Sequence, residues 1–314
     1  MTSHISKELP ELGHTTGHKS GFVNIIGRPN VGKSTLMNLL VGERMSIITA
    51  KPQTTRHRII GIMTGDNFQI VFSDTPGFVR KPSYKMHDAM NSFVKESFDD
   101  ADVMLFVTEP SEAFDAEDPI IKRLQNVKYP KFLVLNKIDS AAPSVFDAYE
   151  AELRKLVDFQ QVIRISALHK TNMETFMETI KSNLPEGPAY YPQDQLTDRP
   201  ERFFVAEIIR EKILLNYRDE IPYACEVIIE SFKETETNAG EKLARIQAII
   251  YVARDNQKLI LIGKNGLAMK KLGMDARKDM EKFLESKVFL EMTVKVRDNW
   301  RDDERMLKNF GYTT

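Results

Sequence analysis

The chain has 314 residues, enough for two ordinary domains, and its 42% hydrophobic and 28% charged residues are typical of folded globular proteins rather than disordered or fibrous ones. Its 44 basic and 45 acidic side chains nearly cancel, so any contact with nucleic acid has to come from a local basic patch, not from the charge of the whole protein. The single cysteine cannot form an internal disulfide, which favours a reducing, cytoplasmic compartment, and no apolar run is long enough to predict a membrane-spanning helix.

Residues 1–20 predict a disordered N-terminal tail. They contain no apolar stretch of the kind that forms the core of a signal peptide. With two glutamates and no arginine they do not resemble a mitochondrial transit peptide either. The histidines of this segment, His4, His14 and His18, match the spacing of no recurring metal site. We therefore expect the folded part of the chain to begin near residue 21.

In residues 21–184, short β-branched or aromatic runs alternate with longer segments of helical periodicity, such as 84–98 and 146–157. The short runs have the length and composition of strands buried on both faces, and they lie at residues 22–26, 69–72, 103–107, 132–135 and 162–165. This alternation predicts an α/β domain in which helices cover a mostly parallel sheet. Residues 58–63 are expected to form an antiparallel edge strand, because the chain there leaves no room for a crossover helix.

Four prolines mark the end of this domain: Pro185, Pro188, Pro192 and Pro200. Repeated prolines exclude a helix or a central strand and stiffen the backbone, so residues 185–200 are predicted to form a linker. The elements predicted in residues 201–314 are a helix at 202–215, strands at 224–232 and 243–253, a turn at 263–266, a long helix to about 285 and a strand at 288–296. The order α-β-β-α-β predicts a second, α+β domain.

The first chemical motif, at residues 27–34, follows a predicted strand and precedes a helical segment. Its pattern, Gly-x4-Gly-Lys-Ser, is that of a phosphate-binding loop, in which glycines let backbone N–H groups point at phosphate oxygens. Lys33 is expected to reach the β- and γ-phosphates, and the Ser34 hydroxyl is expected to ligate Mg²⁺. The predicted nucleotide-binding residues of this loop are Gly27, Asn30, Val31, Gly32, Lys33, Ser34 and Thr35.

Two further segments predict a metal site and mobile switch loops. Asp74 ends a predicted strand, which is where P-loop proteins carry the carboxylate that faces Mg²⁺ through a bound water. Gly77, three residues later, can bring its backbone N–H to the γ-phosphate. A threonine in the segment Gln-Thr-Thr-Arg-His is the expected second protein ligand of Mg²⁺. Thr54 and Thr55 both qualify, and Thr55 is preferred. The predicted catalytic residues are Lys33, Thr55, Asp74 and Gly77.

The base is predicted to be guanine. Asp139 closes the sequence Asn-Lys-Ile-Asp after a buried strand, and its carboxylate can accept the N1–H and the exocyclic amine of guanine, an arrangement that adenine does not offer. Asn136 is expected to brace the loop and meet the base edge, while the Lys137 stem packs along the ring. The backbone of Ser166 and Ala167 is expected to donate to the guanine carbonyl.

Position 78 predicts slow intrinsic hydrolysis. Many GTPases carry a glutamine after the switch glycine to orient the attacking water, whereas this chain has Phe78, which cannot hydrogen-bond to water. Catalytic help must then come from a partner or from an ion. A potassium ion held by the side-chain oxygen of Asn30 is one hypothesis, and equal turnover in potassium and sodium would contradict it.

A second functional site is predicted in the C-terminal domain. The sequence Gly-Lys-Asn-Gly before a long helix fits the GXXG loop with which a KH domain clamps single-stranded nucleic acid. The predicted RNA-binding residues are Gly263, Lys264, Asn265, Gly266, Lys270 and Lys271. Leu267, Met269 and Leu272 could form the floor of a groove or belong to the core. Trp300 could stack on a base or anchor a helix.

The motifs GRPNVGKST, QTTRHRI, DTPGF, NKID and SAL together resemble the Era branch of the translation-factor-related GTPases. The resemblance continues through EIIREK and EIPY to the closing NWRDDE, and it covers residues 21–312. It implies a P-loop GTPase domain followed by a type II KH domain that binds the single-stranded 3′ end of small-subunit ribosomal RNA. It further implies a monomer that acts in 30S subunit assembly in the cytoplasm, with a link to cell-cycle control and with peripheral attachment to the inner membrane face left open.

Two other functions compete with this GTP-hydrolysing switch. One is an RNA-binding module whose nucleotide site is structural or sensory, against which the retained Lys33, Ser34 and Asp74 argue. A Lys33→Ala variant that still supports ribosome maturation would favour it. The other is a tRNA-modification or membrane-signalling GTPase. The lack of a modification-type catalytic cysteine and of a membrane helix argues against this second alternative.

Overall fold

In the computed structural model, which describes residues 17–49 and 51–312, the chain forms two domains joined by an irregular segment. The predicted disorder of residues 1–16, with His4 and His14, lies outside the described residues. The predicted tail of residues 1–20 extends too far, because strand β1 already begins at Lys19. The backbone N–H groups of Lys19 and Ser20 donate to Asn67 O (3.0 Å) and Pro185 O (3.1 Å), which fixes these residues to the first domain.

Six strands form the sheet of the first domain, in the order β2-β3-β1-β4-β5-β6. They are β1 (Lys19–Ile26), β2 (Ile59–Gly65), β3 (Phe68–Asp74), β4 (Val103–Thr108), β5 (Lys131–Leu135) and β6 (Gln161–Arg164). Neighbouring strands run parallel, except that β2 pairs antiparallel with β3 at one edge, as the sequence predicts. Because the other strands are parallel, their carboxyl ends and the loops that follow them lie together on one side of the domain. A ligand site is expected at these carboxyl ends.

Helices cover both faces of this sheet. They are α1 (Lys33–Val41), α2 (Lys85–Glu96), α3 (Pro119–Asn126), α4 (Pro143–Leu156) and α5 (Met173–Ser182). Successive residues of a strand point to opposite faces of the sheet. Ile25 packs in the core that contains Leu36 of α1, and Ile26 packs in the core that contains Phe146 of α4. The strands are therefore apolar on both sides, and polar residues are left for the loops at the strand ends.

Residues 185–200 lie along the β2–β3 edge of the sheet. The Ile62 N–H donates to Leu196 O (2.8 Å), and the Thr197 hydroxyl donates to Ile60 O (2.6 Å). The side chain of Gln69 accepts from Tyr190 N (2.7 Å). The linker is thus held to the first domain along its length, and it fixes where the second domain begins.

The second domain is a three-stranded sheet, β7-β8-β9, on which helices pack around one core. Its elements are α6 (Glu201–Asn216), α7 (Ile221–Ala224), β7 (Glu226–Glu236), β8 (Lys242–Val252), α8 (Asp255–Ile262), α9 (Leu267–Phe283), β9 (Lys287–Val296) and α10 (Glu304–Asn309). Strand β8 pairs antiparallel with β7 and parallel with β9. The parallel pair requires a crossover, which α8 and α9 provide.

Two details of this domain differ from the predicted order α-β-β-α-β. The apolar run before the GXXG turn forms helix α8, which the sequence does not distinguish from a strand because so short a run suits either. The helix ends at Gly263, which takes a φ of 73°. The first strand begins at Glu226 rather than Ala224, because the short helix α7 occupies the residues before it.

An apolar cluster joins the two domains. Leu307 and Phe310 of the C-terminal segment pack with Met86 and Met90 of α2 in the first domain. Trp300 belongs to the same cluster, is fully buried, and donates from its indole N–H to Ala224 O (3.0 Å). The structure therefore decides one open alternative, since Trp300 anchors the fold and is not exposed to stack on a base.

Candidate functional site

The loop at residues 27–34 connects β1 to α1 at the carboxyl edge of the sheet. Gly27 and Gly32 have φ values of 154° and 98°, which other residues rarely adopt. A Cβ added at Gly27 would lie 2.2 Å from Val107 O, and one at Gly32 would lie 2.2 Å from the Asn136 side chain. Gly32 is also the N-cap of α1 and has no side chain to bond the first N–H groups of the helix. Loop and helix therefore present backbone donors in the arrangement that binds phosphate.

Lys33 is buried beneath this loop. Its ammonium donates to the backbone oxygens of Gly27 (3.1 Å) and Arg28 (2.8 Å). Burial lowers the pKa of Lys33 to about 8, against the opposing influence of Asp74 and Glu112. A phosphate offers charged acceptors in place of two neutral carbonyls and would favour the ammonium form. The side chain is thus placed to bind an anion in the loop.

Three oxygen atoms meet in front of the loop. Ser34 Oγ lies 2.7 Å from Asp74 Oδ2 and 2.8 Å from Thr55 Oγ1. The Thr54 hydroxyl instead hydrogen-bonds with Thr49 Oγ1 (2.8 Å) and Lys51 O (2.6 Å). The structure therefore brings Thr55, and not the alternative Thr54, to Ser34 and Asp74.

This oxygen cluster fits a hard divalent cation. Asp74 is fully buried, and its Oδ1 has no hydrogen-bond partner among the residues that the structure describes. Burial raises the pKa of Asp74, because the ionised carboxylate has lost its hydration. A cation would restore that stabilisation, and hydroxyl and carboxylate oxygens are the ligands that Mg²⁺ prefers. Ser34, Thr55 and Asp74 could therefore hold Mg²⁺.

The segment after β3 lies against the phosphate-binding loop. A Cβ added at Gly77 would lie 2.7 Å from Pro29 N, so any side chain there would push the two segments apart. Gly77 lines the same cavity as Lys33, and so do the predicted residues Asn30 and Thr35. Phe78 packs against the core that contains Ile26 and Phe106. Position 78 thus supplies no hydrogen bond to a water at the nucleotide.

Asn136 ties the base-recognition motif to the phosphate-binding loop. Its side-chain amide donates to Val31 O (2.8 Å) and accepts from Ala167 N (3.0 Å). The Ser166 N–H donates to Thr171 O (3.4 Å). Asn136 therefore joins the two loops, whereas the Ser166 hydrogen bond closes a turn within the loop after β6. That Asn136 also meets the base and that the Ser166 and Ala167 backbone donates to the guanine carbonyl stay predictions.

Lys137 and Asp139 lie at the rim of the base site. Lys137 takes a φ of 61° and donates to Glu109 Oε1 (2.6 Å). A hydrogen bond from Ser166 lowers the pKa of Asp139, so its carboxylate stays ionised and can accept two donors from guanine. His169, whose Nε2 lies 3.7 Å from Asp139 Oδ2, is a neighbour that no sequence motif indicates.

The structure adds Glu112 and Asp118 to the nucleotide site, both from residues 109–118, here called the β4–α3 loop. Glu112 and Asp118 each lie 2.8 Å from a guanidinium nitrogen of Arg28 in the phosphate-binding loop. Asp118 also binds Arg80, which follows Gly77 in the chain. Sequence reasoning missed these residues because no motif covers them. Their place after a parallel strand, at the same edge as the motifs, is the signal that could have indicated them.

In the second domain, residues 263–266 form a tight turn between α8 and α9. Gly263, Asn265 and Gly266 have φ values of 73°, 53° and 74°. A Cβ added at Gly263 would lie 2.6 Å from Ala268 Cβ, so a glycine is required there. Lys264 and Asn265 are exposed on the turn. The turn presents backbone and a lysine at the start of α9, where a nucleic-acid backbone could be clamped.

A groove of about 350 Å³ lies beside this turn, between α9 and the edge strand β9. Apolar and basic side chains line it, among them Met269, Lys270, Met274, Arg277, Leu290 and Met292. Apolar surface suits stacked bases and basic side chains suit phosphates, so the groove fits a single strand. Met274 and Arg277 were not predicted, although helical periodicity places them one and two turns after Lys270.

The other predicted RNA-binding residues separate in the structure. Lys271 donates to Asp275 Oδ2 (2.7 Å) and to Asn216 Oδ1 (3.2 Å) of α6, away from the groove-lining residues of its helix. Leu272 is fully buried in the core, whereas Leu267 is exposed. Met269 is therefore the member of the apolar trio that lines the groove.

Comparison with known families matches both domains. A family described as 50S ribosome-binding GTPase matches residues 22–137, and a family described as KH domain matches residues 220–301. The second match agrees with the GXXG turn and with the α-β-β-α-α-β order that α8 completes.

Two crystal structures resemble nearly the whole chain. A single-residue variant of Aquifex aeolicus Era bound to GDP and AlF4⁻ is 36% identical, with 94% of this chain and 100% of that chain covered and a TM-score of 0.87. Era in complex with MgGDPNP and nucleotides 1506–1542 of 16S ribosomal RNA is 37% identical, with 95% and 100% covered and a TM-score of 0.88. Likeness at this level spans both domains and the linker between them. This chain is therefore a GTPase with a C-terminal KH domain, and it belongs to the Era family.

Proposed function

We propose that this protein is a GTP-hydrolysing switch that binds the single-stranded 3′ end of small-subunit ribosomal RNA and acts in 30S subunit assembly, with a link to cell-cycle control. The family description that names the 50S subunit covers only the first domain. Of the two Era structures that match both domains, one is bound to nucleotides of 16S ribosomal RNA. This second likeness supports the small subunit as the partner.

The observation that carries the proposal is the contact between the switch segment, residues 44–49 and 51–57, and the second domain. Arg56 is fully buried there, and its guanidinium donates to Cys225 O (2.7 Å), Glu226 Oε2 (3.0 Å) and Pro222 O (3.1 Å). A buried charge is costly to leave unpaired, so this contact resists separation. Arg56 directly follows Thr55, and a nucleotide-dependent movement of Thr55 therefore acts on it.

Two further basic side chains fasten the same segment to helix α6. Arg210 of α6 is buried beside Glu207 and donates to the backbone oxygen of Thr54. Lys51 donates to Tyr217 O (2.5 Å) at the carboxyl end of α6, where unpaired helix carbonyls favour a cation. Both contacts hold the segment just before Thr55, the expected Mg²⁺ ligand.

The contact extends from the switch segment to the RNA groove. Arg44 pairs with Glu211 of α6 and lies 3.4 Å from Asp279 of α9. Lys212 also pairs with Asp279, which ties α6 to α9. Helix α9 supplies Lys270 and neighbouring residues to the groove. A change in the switch segment can therefore alter the position of a groove wall.

The contacts from the switch segment through α6 to α9 link nucleotide binding to RNA binding. The γ-phosphate and its cation would hold Thr55, and hydrolysis would release it. If the second domain binds RNA better in one of the two states, RNA must in turn favour the nucleotide of that state by the same factor.

For hydrolysis, we propose that Ser34 and Thr55 ligate Mg²⁺ directly and Asp74 through a water. When bound there, the ion would neutralise charge on the phosphates. Lys33 binds β- and γ-phosphate oxygens, and the Gly77 N–H binds the γ-phosphate. Because Phe78 cannot orient the attacking water, we expect the intrinsic rate to be slow.

A potassium ion beside Asn30 is proposed to supply part of the missing assistance. Asn30 lines the cavity that Lys33 occupies, and a cation there would add positive charge close to the phosphates. Single-turnover hydrolysis should be faster in potassium chloride than in sodium chloride at equal ionic strength. An Asn30→Ala variant should lose the difference, and equal rates in the two salts for the unchanged protein would exclude the role.

We propose a cytoplasmic, monomeric protein with peripheral contact at the inner membrane face. The proposed ribosomal partner supports the compartment. Separately, no helix within residues 17–49 and 51–312 is long and apolar enough to cross a membrane. Cell fractionation with a high-salt wash tests the proposal, since protein that resists the wash would not be peripherally bound.

RNA binding is tested with the full chain, GDPNP and an oligonucleotide that ends in the small-subunit 3′ sequence. A Lys264→Asp, Asn265→Asp variant places two negative charges at the proposed backbone clamp and should weaken binding at least about tenfold. A Lys242→Asp variant, at the first residue of β8, is the control for a charge reversal away from this turn. RNA that changes neither the GTPase rate nor the nucleotide affinity would contradict the coupled switch.

A further inference from the structure

Asp118 closes the β4–α3 loop, and its side chain is only 1% exposed. Its Oδ1 accepts from Ile120 N (3.0 Å) and caps helix α3. Its Oδ2 accepts from Arg28 Nη2 (2.8 Å) and from Arg80 Nε (3.1 Å). Burial alone would raise the pKa of Asp118, but hydrogen bonds from Arg28, Arg80 and the Ile120 backbone, together with the charge of Arg80, keep the pKa below its ordinary value. One buried carboxylate therefore holds two guanidinium groups.

The two arginines belong to the two segments that enclose the γ-phosphate position. Arg28 lies in the phosphate-binding loop, and its backbone oxygen accepts from Lys33. Arg28 is further fixed by Glu112 and lies 4.2 Å from the ring centre of Phe114, both in the β4–α3 loop. Arg80, about half exposed, follows Gly77 by three residues. Asp118 thus connects a firmly held loop to the segment after β3.

That segment, residues 77–80, is held at four points. Gly77 lies against Pro29, Phe78 packs on the same core as Phe114, and Arg80 binds Asp118. The Asn91 side chain of α2 accepts from Val79 N (2.9 Å) and donates to Val79 O (2.9 Å). The contacts of Gly77 and Phe78 are steric and apolar, whereas those of Val79 and Arg80 also fix direction, because hydrogen bonds form only in particular geometries. The bridge through Asp118 is the directional contact that ties this segment to the phosphate-binding loop.

We propose that Asp118 is a positioning residue for GTP hydrolysis. By holding Arg28 and Arg80 together, it keeps the Gly77 N–H directed at the γ-phosphate and keeps Phe78 in the core, which leaves the phosphate open to the attacking water. Loss of this bridge would spread the segment over more conformations, of which a smaller fraction is reactive. The role concerns hydrolysis alone and does not depend on RNA binding.

The test is Asp118→Asn, which keeps a capping oxygen for α3 because asparagine is also a good N-cap. Single-turnover hydrolysis of bound GTP should slow about tenfold, as expected for the loss of a charge-assisted hydrogen bond, while the affinity for a fluorescent GDP analogue changes by no more than about twofold. The control is Asp115→Asn, at an exposed residue of the same loop whose carboxylate accepts from Glu117 N (2.9 Å), and it should change neither quantity.

Arg80→Gln breaks the bridge from its other end. It should slow hydrolysis by a similar factor, and the double variant with Asp118→Asn should be no slower than either single variant. An unchanged rate in Asp118→Asn overturns the proposal, and so does an equal loss of GDP affinity, which would mean general damage to the phosphate loop. A faster rate also overturns it, since Asp118 would then be restraining Arg80 from the phosphate. If Asp118→Asn fails to fold, Arg80→Gln carries the same test.

Discussion

At the phosphate and metal end of the nucleotide site the functional side chains are buried and already hydrogen-bonded within the protein, whereas in the KH groove they are largely exposed. Lys33, Thr55 and Asp74 are all buried, and each hydrogen-bonds within the protein. Lys264 and Lys270, in contrast, extend from the surface of the second domain. The two binding sites of one chain are thus built in opposite ways.

The difference has consequences for recognition. A buried polar atom that loses its ligand or its partner costs much free energy, so the nucleotide site should discriminate sharply and fail abruptly when altered. An exposed basic and apolar groove gains affinity from several small contributions, screened by salt. Substitutions should therefore have large effects at the first site and graded effects at the second.

The largest effect is expected for Asp139→Asn. The amide presents a donor where guanine also presents one, so GTP affinity should fall by about a thousandfold or more. Asp158→Asn, an exposed residue before β6, is the control and should bind normally. Competition against a fluorescent GDP analogue measures both. A loss below about tenfold would mean that the Asp139 carboxylate does not pair with the guanine donors as proposed.

The contact between the two sites is expected to give the next largest effect. Arg56→Met leaves the buried carboxylate of Glu226 without its guanidinium partner and should lower the free energy of unfolding by about 3 kcal/mol. Glu226→Gln in the same background should recover part of this loss. Lys85→Met, which removes an exposed ion pair with Glu304 between the same domains, should change little. Urea unfolding measures all three, and equal effects of Arg56→Met and Lys85→Met would contradict the account.

Two adjacent lysines of α9, Lys270 and Lys271, should contribute differently to RNA binding. Lys270→Ala should weaken RNA binding by about threefold to tenfold. It should also lower the number of counterions released on binding, measured from the salt dependence of the affinity, by about one. Lys271→Ala is the matched control, because Lys271 is paired with Asp275 and lies away from the groove residues. RNA-binding titrations over a range of salt concentrations measure the affinity and its salt dependence for both variants. Equal losses would mean that RNA follows a different face of α9.

The smallest effect concerns pH. Lys33 has a pKa of about 8 in the folded protein without phosphate, below its value in an unfolded chain. Because phosphate favours the ammonium form, nucleotide affinity should be highest below about pH 8 and should fall several-fold by about pH 9. The stability of the nucleotide-free protein should change in the opposite direction. Its free energy of unfolding should rise above about pH 8, because there the unfolded chain binds more protons than the folded protein does. Lys33→Met should remove both trends, and a nucleotide affinity that does not change over this range would contradict the assignment.

The same contrast governs what could be predicted from the sequence. The nucleotide motifs follow strand ends, and parallel strands bring those ends together, so their residues could be assigned one by one. Asp118 and its arginines could not, because they meet across the sheet edge from segments far apart in the chain. At the groove the GXXG turn was evident, yet α8 was missed and Lys271 was grouped with Lys270. Neighbouring residues on a helix point about 100° apart, and which direction faces the groove depends on packing.

The central claim is that the switch segment couples the nucleotide site to the RNA groove. The most direct measurement is the RNA dissociation constant in GDPNP and in GDP, together with the GDPNP dissociation constant with and without RNA. We expect a difference in RNA affinity between the two nucleotides, a reciprocal change in nucleotide affinity, and the loss of both in Arg56→Met. An RNA affinity that is the same in GDPNP and in GDP would contradict the claim.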